Sequence, residues 1–455
     1  MRENVKEKLV IVIASIGMFL STLDTGIINV ALPFLKNHFQ TNTNTAALTV
    51  IGYSTSLAIF IMLFGILSDI KGKLKIANFG MWVFMLASLF CGISQSIGSI
   101  IAFRIIQGIG AAALQATSAS LVTTLVRPEN QNSAIGTVGI MIGLGPVLGP
   151  SLGGFLLALG SWRLIFFINI PFTLIGIICA LLIKNKVTEQ KYDKKVDIAG
   201  FVLNAIMISC LLIGLNELEK QNMRVLGAIL LVIAVISAVA LYFVEKNKDN
   251  ATVDMHIVTS KKTFTLLLQT MLFGFASAIV FLLPPFLFEN VMHISAGLTG
   301  LLVLGAPLGI AIFSKVAGNI NDGTRNTSFS FYGMSGMLIA FVILTLLPQK
   351  TPALVTTIAL FIYGVGGGFF QPSNVSALMK SVGLSEQGSM SALQRMTQNV
   401  AIAIGSSVGS IIMFEFKKQI FTGIKAGYLM TSIIISVVLL FSFMMRKNLN
   451  EKQKI

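Results

Sequence analysis

Apolar residues recur along this chain in runs about twenty long, separated by short polar stretches. A helix needs about 20 mostly apolar residues to cross a bilayer. By that measure the pattern predicts membrane-spanning helices at 9–29, 46–68, 76–94, 97–125, 133–160, 163–183 and 197–216, then at 225–244, 263–288, 296–318, 328–347, 353–379, 388–414 and 426–445. Strands of a membrane barrel would instead alternate apolar and polar residues. No small-residue cleavage site follows the first run, which continues into a polar motif, so it reads as a retained helix. The expected fold class is an all-α polytopic membrane protein of about fourteen helices.

Composition sharpens this picture. Of 455 residues, 55% are apolar and 11% charged, and the mean hydropathy is +0.85. A soluble protein carries about a quarter charged residues. A soluble enzyme, a secreted disulfide scaffold and a disordered chain are therefore excluded. The net charge of +15 would point to nucleic acid in a soluble protein; in a membrane protein it retains loops on the cytoplasmic side, so no nucleic-acid partner is expected. Cys91, Cys179 and Cys210 lie in apolar runs, and His38, His256 and His293 are far apart. Neither a disulfide, a metal site nor a cofactor is expected.

Charge also orients the chain. With the N-terminus inside, the external segments hold Lys36, Arg163, Lys220, Arg224, Lys350, Lys417, Lys418 and Lys425, and Arg104 and Arg395 fall within spans. The other Lys and Arg fall on the inner side, which places both termini in the cytoplasm. The two most charged loops, 184–196 and 245–262, bracket the seventh and eighth spans. They divide the chain into a six-helix bundle (1–183), two additional helices with their loops (184–262) and a second six-helix bundle with a tail (263–455). A weak repeat supports the division. Gly65-Ile-Leu-Ser-Asp69 and Gly318-Asn-Ile-Asn-Asp322 each leave the second helix of a bundle in the same direction. Two halves of like orientation are expected to hold a transport site between them.

Five segments of the first half carry a family resemblance. They are Leu23–Pro33, Gly65–Lys73, Arg104–Gly110, Gly145–Gly154 and Trp162–Pro171. In this order the chain resembles the major facilitator superfamily, and within it the fourteen-helix drug:proton antiporters, staphylococcal multidrug exporters among them. The second half matches more loosely, mainly at Gly364–Pro372 and Gly388–Gly409. The resemblance implies two six-helix bundles rocking about a central cavity.

Asp24 is the one acid well inside a predicted span. A carboxylate at a helix centre costs about 2.5–3.5 kcal/mol on insertion scales. It must face a cavity, pair with a cation or be protonated. A carboxyl balanced between desolvation and a nearby cation can take up and release a proton; a fixed ion pair or a helix-packing hydrogen bond is the alternative. Arg104 is the natural partner, because both residues sit about 8–10 Å inside the same membrane boundary at 1.5 Å per residue. Gln107 and Gln115 continue along one face from Arg104. The family resemblance assigns the fourth-helix arginine to proton transfer; clamping helices together is the plainer role.

The run from Gly139 to Gly154 lets helices approach closely, and Pro146 and Pro150 can kink the span. Resemblance gives Gly145, Pro146, Gly149, Pro150, Gly153 and Gly154 a gating role at the interface with the second half; close packing uses the same residues. Asp69, Gly72 and Lys73 sit in a tight turn after Gly65, where Asp69 can pair with Arg127 or cap the helix beginning near Gly388. In the family this loop latches the outward-open state. Ile70 stands where the family often has Arg, and the second copy lacks the pattern's second glycine, having Arg325 and Asn326. A weaker latch is expected there.

Gln394, Arg395, Gln398 and Asn399 form a polar stripe on an apolar helix, which in lipid faces a bundle interior. Gln394 and Gln398 of this stripe, with Asn29, Gln107, Gln115, Gln371 and Asn374, are candidate cavity residues, and Phe281, Phe286 and Phe288 a candidate aromatic wall. Glu217, Glu289 and Glu415 lie near external helix ends, and Glu289 is the candidate second proton-coupling acid. The expected function is proton-coupled efflux of lipophilic, often cationic drugs across a bacterial cytoplasmic membrane by a monomer embedded in lipid. The alternative is an antiporter for one defined substrate such as tetracycline or a metabolite. No nucleotide-binding loop points to ATP, and no nucleophile–base pair or soluble output domain points to an enzyme or a sensor.

Overall fold

The computed structural model describes residues 3–193, 195–246, 248 and 255–452. The side chains of Pro146 and His256 lie outside the described residues. Helices follow one another as α1 (Glu3–His38), α2 (Thr43–Lys71), α3 (Lys73–Ile93), α4 (Ile97–Leu125), α5 (Pro128–Ala158), α6 (Leu164–Ile183), α7 (Ile198–Leu218) and α8 (Arg224–Glu245). The second half continues with α9 (Lys261–Val291), α10 (Gly297–Ile320), α11 (Asn326–Leu346), α12 (Ala353–Met379), α13 (Leu384–Glu415) and α14 (Ile420–Met445). Thirteen of these are long and apolar enough to cross a membrane, and α5, whose Pro128–Gly145 and Leu148–Ala158 parts meet at 50°, makes the fourteenth. The protein is a multi-pass membrane protein with an all-α fold.

Local chemistry sets several boundaries. Asn42 caps α2 by accepting from the Thr45 amide at 2.7 Å, and Ser96 and Ser99 form a reciprocal capping box on α4. Gly72 ends α2 and starts α3 at φ +103°, a conformation that a side chain would strain. One boundary differs from expectation: α1 runs past Asn29 to His38 with Pro33 inside it. Ala31 and Leu35 are buried in one cluster with Trp162 and Ile165, and that burial carries the helix through the proline.

The two halves repeat one packing scheme. In the first, α4 packs on α2 and α3, and α1 on α5 and α6. In the second, α12 packs on α10 and α11, and α9 on α13 and α14. The halves meet along two matching seams, α2 with α13 and α5 with α10. Helices α7 and α8 pair with each other, and α7 leans on α2 and α13. There Ser407 Oγ of α13 lies 3.0 Å from the Leu215 carbonyl and 2.9 Å from Glu219 Oε1, hydrogen-bonded to both. The start of α1, the ends of α2, α12 and α14 and the starts of α5, α9 and α13 share one end of the bundle, the terminal end.

Small residues let these helices touch backbone to backbone. A Cβ on Gly110 of α4 would come within 2.7 Å of the Phe84 amide nitrogen and 2.9 Å of the Gly80 carbonyl of α3. One on Gly154 of α5 would meet nothing within 4 Å. Overpacking costs about 1–3 kcal/mol, so Gly110→Ala is expected to lower the unfolding temperature in detergent. Gly154→Ala should leave it unchanged or raise it, because alanine is the better helix former by about 0.5–1 kcal/mol.

Candidate functional site

Asp24 of α1 is enclosed by four helices. Arg104 of α4 pairs with its Oδ2, and the Nε2 of Gln107 and the Nδ2 of Asn169 each donate to its Oδ1 at 3.1 Å. Gln107 Oε1 in turn accepts from Arg104 Nη1 at 2.7 Å, and Ser88 Oγ of α3 accepts from both Gln107 (2.8 Å) and Asn169 (3.3 Å). Arg104 Nε donates to the Thr49 carbonyl of α2 at 3.0 Å, and its guanidinium lies 4.2 Å from the centre of the Tyr53 ring. Tyr53 is tied back to α1 through the Ser21 carbonyl, 3.0 Å away. Asp24 is 3% exposed and Arg104 not at all. Such an arrangement neutralises two charges in a low-dielectric interior and ties α1, α2, α3, α4 and α6 together. It offers no free carboxylate to a cavity in this conformation.

Asn169, Ser88 and Tyr53 had no role assigned from sequence. Asn169 was legible in principle, as the polar residue that opens the apolar run Asn169–Ile183. Ser88 and Tyr53 carry no signal apart from their neighbours in space.

The glycine run of α5 has two working faces. Gly136, Gly139 and Gly143 lie against Ser314 and Ile310 of α10, in the other half. Gly145 and Gly149 lie against Thr22, Leu23 and Gly26 of α1, and Gly153 against Ile27. At 3.6 residues per turn the two sets fall on different faces of the helix, centred about 110° apart. The gating candidates Gly145, Gly149 and Gly153 therefore face their own bundle, beside Asp24, whereas the second half is met by glycines nearer the terminal end. Gly154 touches neither, and Pro150 is exposed.

At the terminal end the halves are sealed together. Asp69 Oδ1 accepts from the Gly388 amide (2.8 Å) and Oδ2 from the Ser389 amide (3.0 Å) and hydroxyl (2.9 Å), capping the start of α13 across the seam. Lys73 Nζ is 3.1 Å from the same carboxylate. Gly65 leaves room: a Cβ there would lie 2.5 Å from the Ala392 Cβ and 2.8 Å from the Gly388 carbonyl. Glu189, in the segment after α6, accepts from the Leu74 amide at 2.9 Å, and the Tyr192 amide donates to the Asp69 carbonyl at 3.2 Å. Arg127 goes elsewhere, to Glu7 of α1, so of the two partners open to Asp69 the structure shows the helix start.

The second copy of the motif closes its seam with neutral groups. Gly318 abuts the Asn132 carbonyl, Asn132 Nδ2 donates to the Asn321 carbonyl at 2.8 Å, and Ser376 donates to Asn132 Oδ1 at 2.6 Å. Asp322 spends its carboxylate on Thr324, whose hydroxyl and amide donate to it, and these bonds hold its pKa below the usual value. Lys315 of α10 reaches Ser133 and Thr137 of α5 at 3.0 and 2.9 Å.

The remaining candidates are scattered. Gln115 receives a hydrogen bond from Asn399 at 3.1 Å, bridging the halves mid-bundle, and gives one to Ser21. Gln398 accepts from Gln394 and Arg395 on its own helix. Asn374 is bound within the second half by Thr270 and Gln269. Gln371 is buried, and neither of its amide atoms has a partner. Phe281 and Phe286 are half-buried, packed against the core of the second half. Asn29 and Glu289 are exposed, away from Asp24 and Arg104 in the sense that neither shares a hydrogen bond with them.

The family model described as Major Facilitator Superfamily matches residues 14–406. The riboflavin transporter RibZ of Clostridioides difficile is 29% identical over 407 residues, spanning 88% of this chain and 86% of that one. The multidrug transporter protein MdtP of Bacillus subtilis is 26% identical over 433 residues, 93% and 78% of the two chains. The crystal structure of the human organic anion transporter MFSD10 superposes with a TM-score of 0.69 at 14% identity, covering 97% of this chain and all of that one.

Breaking a buried ion pair from one side costs about 3–5 kcal/mol, far more than replacing both partners. Arg104→Gln should therefore destabilise the protein by about that amount, and adding Asp24→Asn should restore part of it. Unfolding of the single and double variants in detergent gives the coupling; purely additive losses would show that the two charges do not interact. For the seal, Asp69→Asn should weaken the terminal end. Its readout is labelling of a cysteine at buried Ser391 by a bulky polar maleimide, expected to rise several-fold over the parent.

Proposed function

The chain belongs to the Major Facilitator Superfamily, and from that premise we propose that it is a proton-coupled exporter of lipophilic drugs working by alternating access. It is a transporter and not an enzyme. The observation that carries the proposal is the buried Asp24–Arg104 pair with Gln107 and Asn169, set beside a helix that touches both halves. The proton site is Asp24, with Arg104 holding the carboxylate charged until a proton arrives. Protonation leaves a neutral acid facing an uncompensated guanidinium, which loosens α1 from α4. Gly145 and Gly149 bring α5 against α1 at that level, and the other face of α5 rests on α10. A shift at Asp24 thus has a short mechanical route to the interface between halves.

In this reading the terminal end is cytoplasmic, as the Lys and Arg distribution favours, and the sealed state faces outward. The capped start of α13 is the latch. A carboxylate at a helix start with several amide donors favours closure by about 0.3–2 kcal/mol from the dipole alone. Release of the proton to the inside, and drug uptake there, follow once this latch opens. Lipophilic cations are drawn to Asp24 only in a conformation where Arg104 releases it. A second reading has a specific support: the relative named as a riboflavin transporter favours a carrier for one defined solute.

Purified protein in proteoliposomes with an imposed pH gradient distinguishes these. Ethidium and at least one unrelated drug should move against the proton flow, an uncoupler should stop them, and Asp24→Asn should lose the response to the gradient while remaining folded. Riboflavin movement without drug movement would install the second reading. Full proton-driven transport by Asp24→Asn would remove Asp24 as the coupling site.

A further inference from the structure

The second buried arginine has no counter-charge among the described residues. Arg395 of α13 is 2% exposed. Its Nη1 donates to Gln398 Oε1 at 2.9 Å, its Nε has no hydrogen-bond partner, and no ion pair among the described residues includes it. Arg104, although its Nη2 also lacks a partner, is held by a carboxylate, an amide and a carbonyl. Arg395 has one amide oxygen. An uncompensated charge at this depth is strongly unfavourable unless something else supplies the partner.

The surroundings say where that partner comes from. Arg395 and Gln371 of α12 border one cavity of about 10 Å³, whose other wall is Ala119 and Val122 of α4 with Ile135 and Val138 of α5. The cavity therefore lies between the halves. Both amide atoms of Gln371 lack partners, and so does Gln394 Oε1. At its present size it holds about one water. Directly toward the terminal end lie the contacts that seal the halves: Gly65 on Ala392, Asp69 on Gly388 and Ser389, and Thr123 on Gln387. Parting the halves at that end uncovers Arg395 and Gln371 together.

We propose that Arg395, with Gln371 beside it, is an anion-binding site of the transport cavity that takes a carboxylate, or an oxyanion of similar size, on an amphiphilic substrate. The proposal rests on the exporter reading and narrows its substrate class: substrates with an acidic group, zwitterions included, are favoured over simple lipophilic cations. A guanidinium offers a carboxylate two parallel donors, and the Gln371 amide adds a third. The apolar wall from α4 and α5 suits the rest of an amphiphile.

A matched pair of dyes tests this. Rhodamine B carries a free carboxylate; its ethyl ester keeps the cationic ring system and loses the acid. Binding of each is measured by fluorescence anisotropy to the full chain in nanodiscs, as wild type, Arg395→Gln and Arg395→Lys. Wild type should prefer the acid. Arg395→Gln should lose about ten- to hundredfold in affinity for the acid, the worth of a charge-assisted hydrogen bond, with the ester within about twofold of wild type. Arg395→Lys, a point charge without the fork, should retain part of the preference. An equal change for both dyes, an unchanged acid affinity, or no acid binding by wild type overturns the site. If Arg395→Gln fails to fold, Arg395→Lys decides: a smaller preference for the acid supports the site and an undiminished one overturns it. Transport of the ester in proteoliposomes under a pH gradient separates the two claims. Wild type that moves the ester while Arg395 proves irrelevant loses only the anion site; wild type that moves neither dye loses the exporter reading.

Discussion

Everything in the first bundle is arranged around one constraint, that a carboxylate cannot sit alone inside a hydrophobic bundle. Asp24 meets it by gathering Arg104, Gln107 and Asn169, and these recruit Ser88, Thr49 and Tyr53 in turn. The network takes polar groups from α1, α2, α3, α4 and α6, so the helices that could otherwise slide on apolar faces acquire a fixed register. Breaking it from one side strands a charge; that is why a single proton is an effective signal in the proposed cycle. Among the described residues the second bundle contains no equivalent. Its buried guanidinium stands with one amide, and the contrast between the two arginines marks the halves as chemically different despite their shared packing.

The same asymmetry appears at the seams. Packing is nearly twofold: α2 meets α13 as α10 meets α5, with Gly65 and Gly318 at corresponding points. Yet a carboxylate closes one seam and neutral amides and hydroxyls close the other, joined by Lys315. Charge-assisted bonds of about 1.5–3 kcal/mol each thus act on both seams, from the Asp69 carboxylate on one and the Lys315 ammonium on the other. The strap from Glu189 and Tyr192 lies on the α2–α13 seam, tying the segment that leads to α7 into the latch.

Much of this was legible from the chain. Long apolar runs set the helices, and the helix-two turn, the fourth-helix arginine and the fifth-helix glycines were visible as motifs. The pairing of Asp24 with Arg104 was foreseeable from shared depth, because few other charges lie in the spans. Where sequence reasoning fell short, tertiary context decided. The apolar run reads as ending at Asn29, and α1 continues through Pro33 because Ala31 and Leu35 find a buried surface. Arg127 reads as one of two possible partners for Asp69, but it pairs with Glu7 of α1 instead. The glycines of α5 read as one interface; their helical phase splits them into two. The isolation of Arg395 could not be read at all, since a missing partner is a property of space and not of spacing.

The placement of α7 and α8 has a consequence for traffic through the lipid. A molecule dissolved in one leaflet can reach a cleft between two bundles sideways, through either of the two seams, without first entering water. Here the α7–α8 hairpin lies against α2 and α13 and stands in front of one of them, anchored by Ser407 and Glu219. Among the described residues the α5–α10 seam has no such screen. Under the exporter reading proposed above, lateral entry is thereby one-sided, past the glycines of α5 on the flank away from the charged latch.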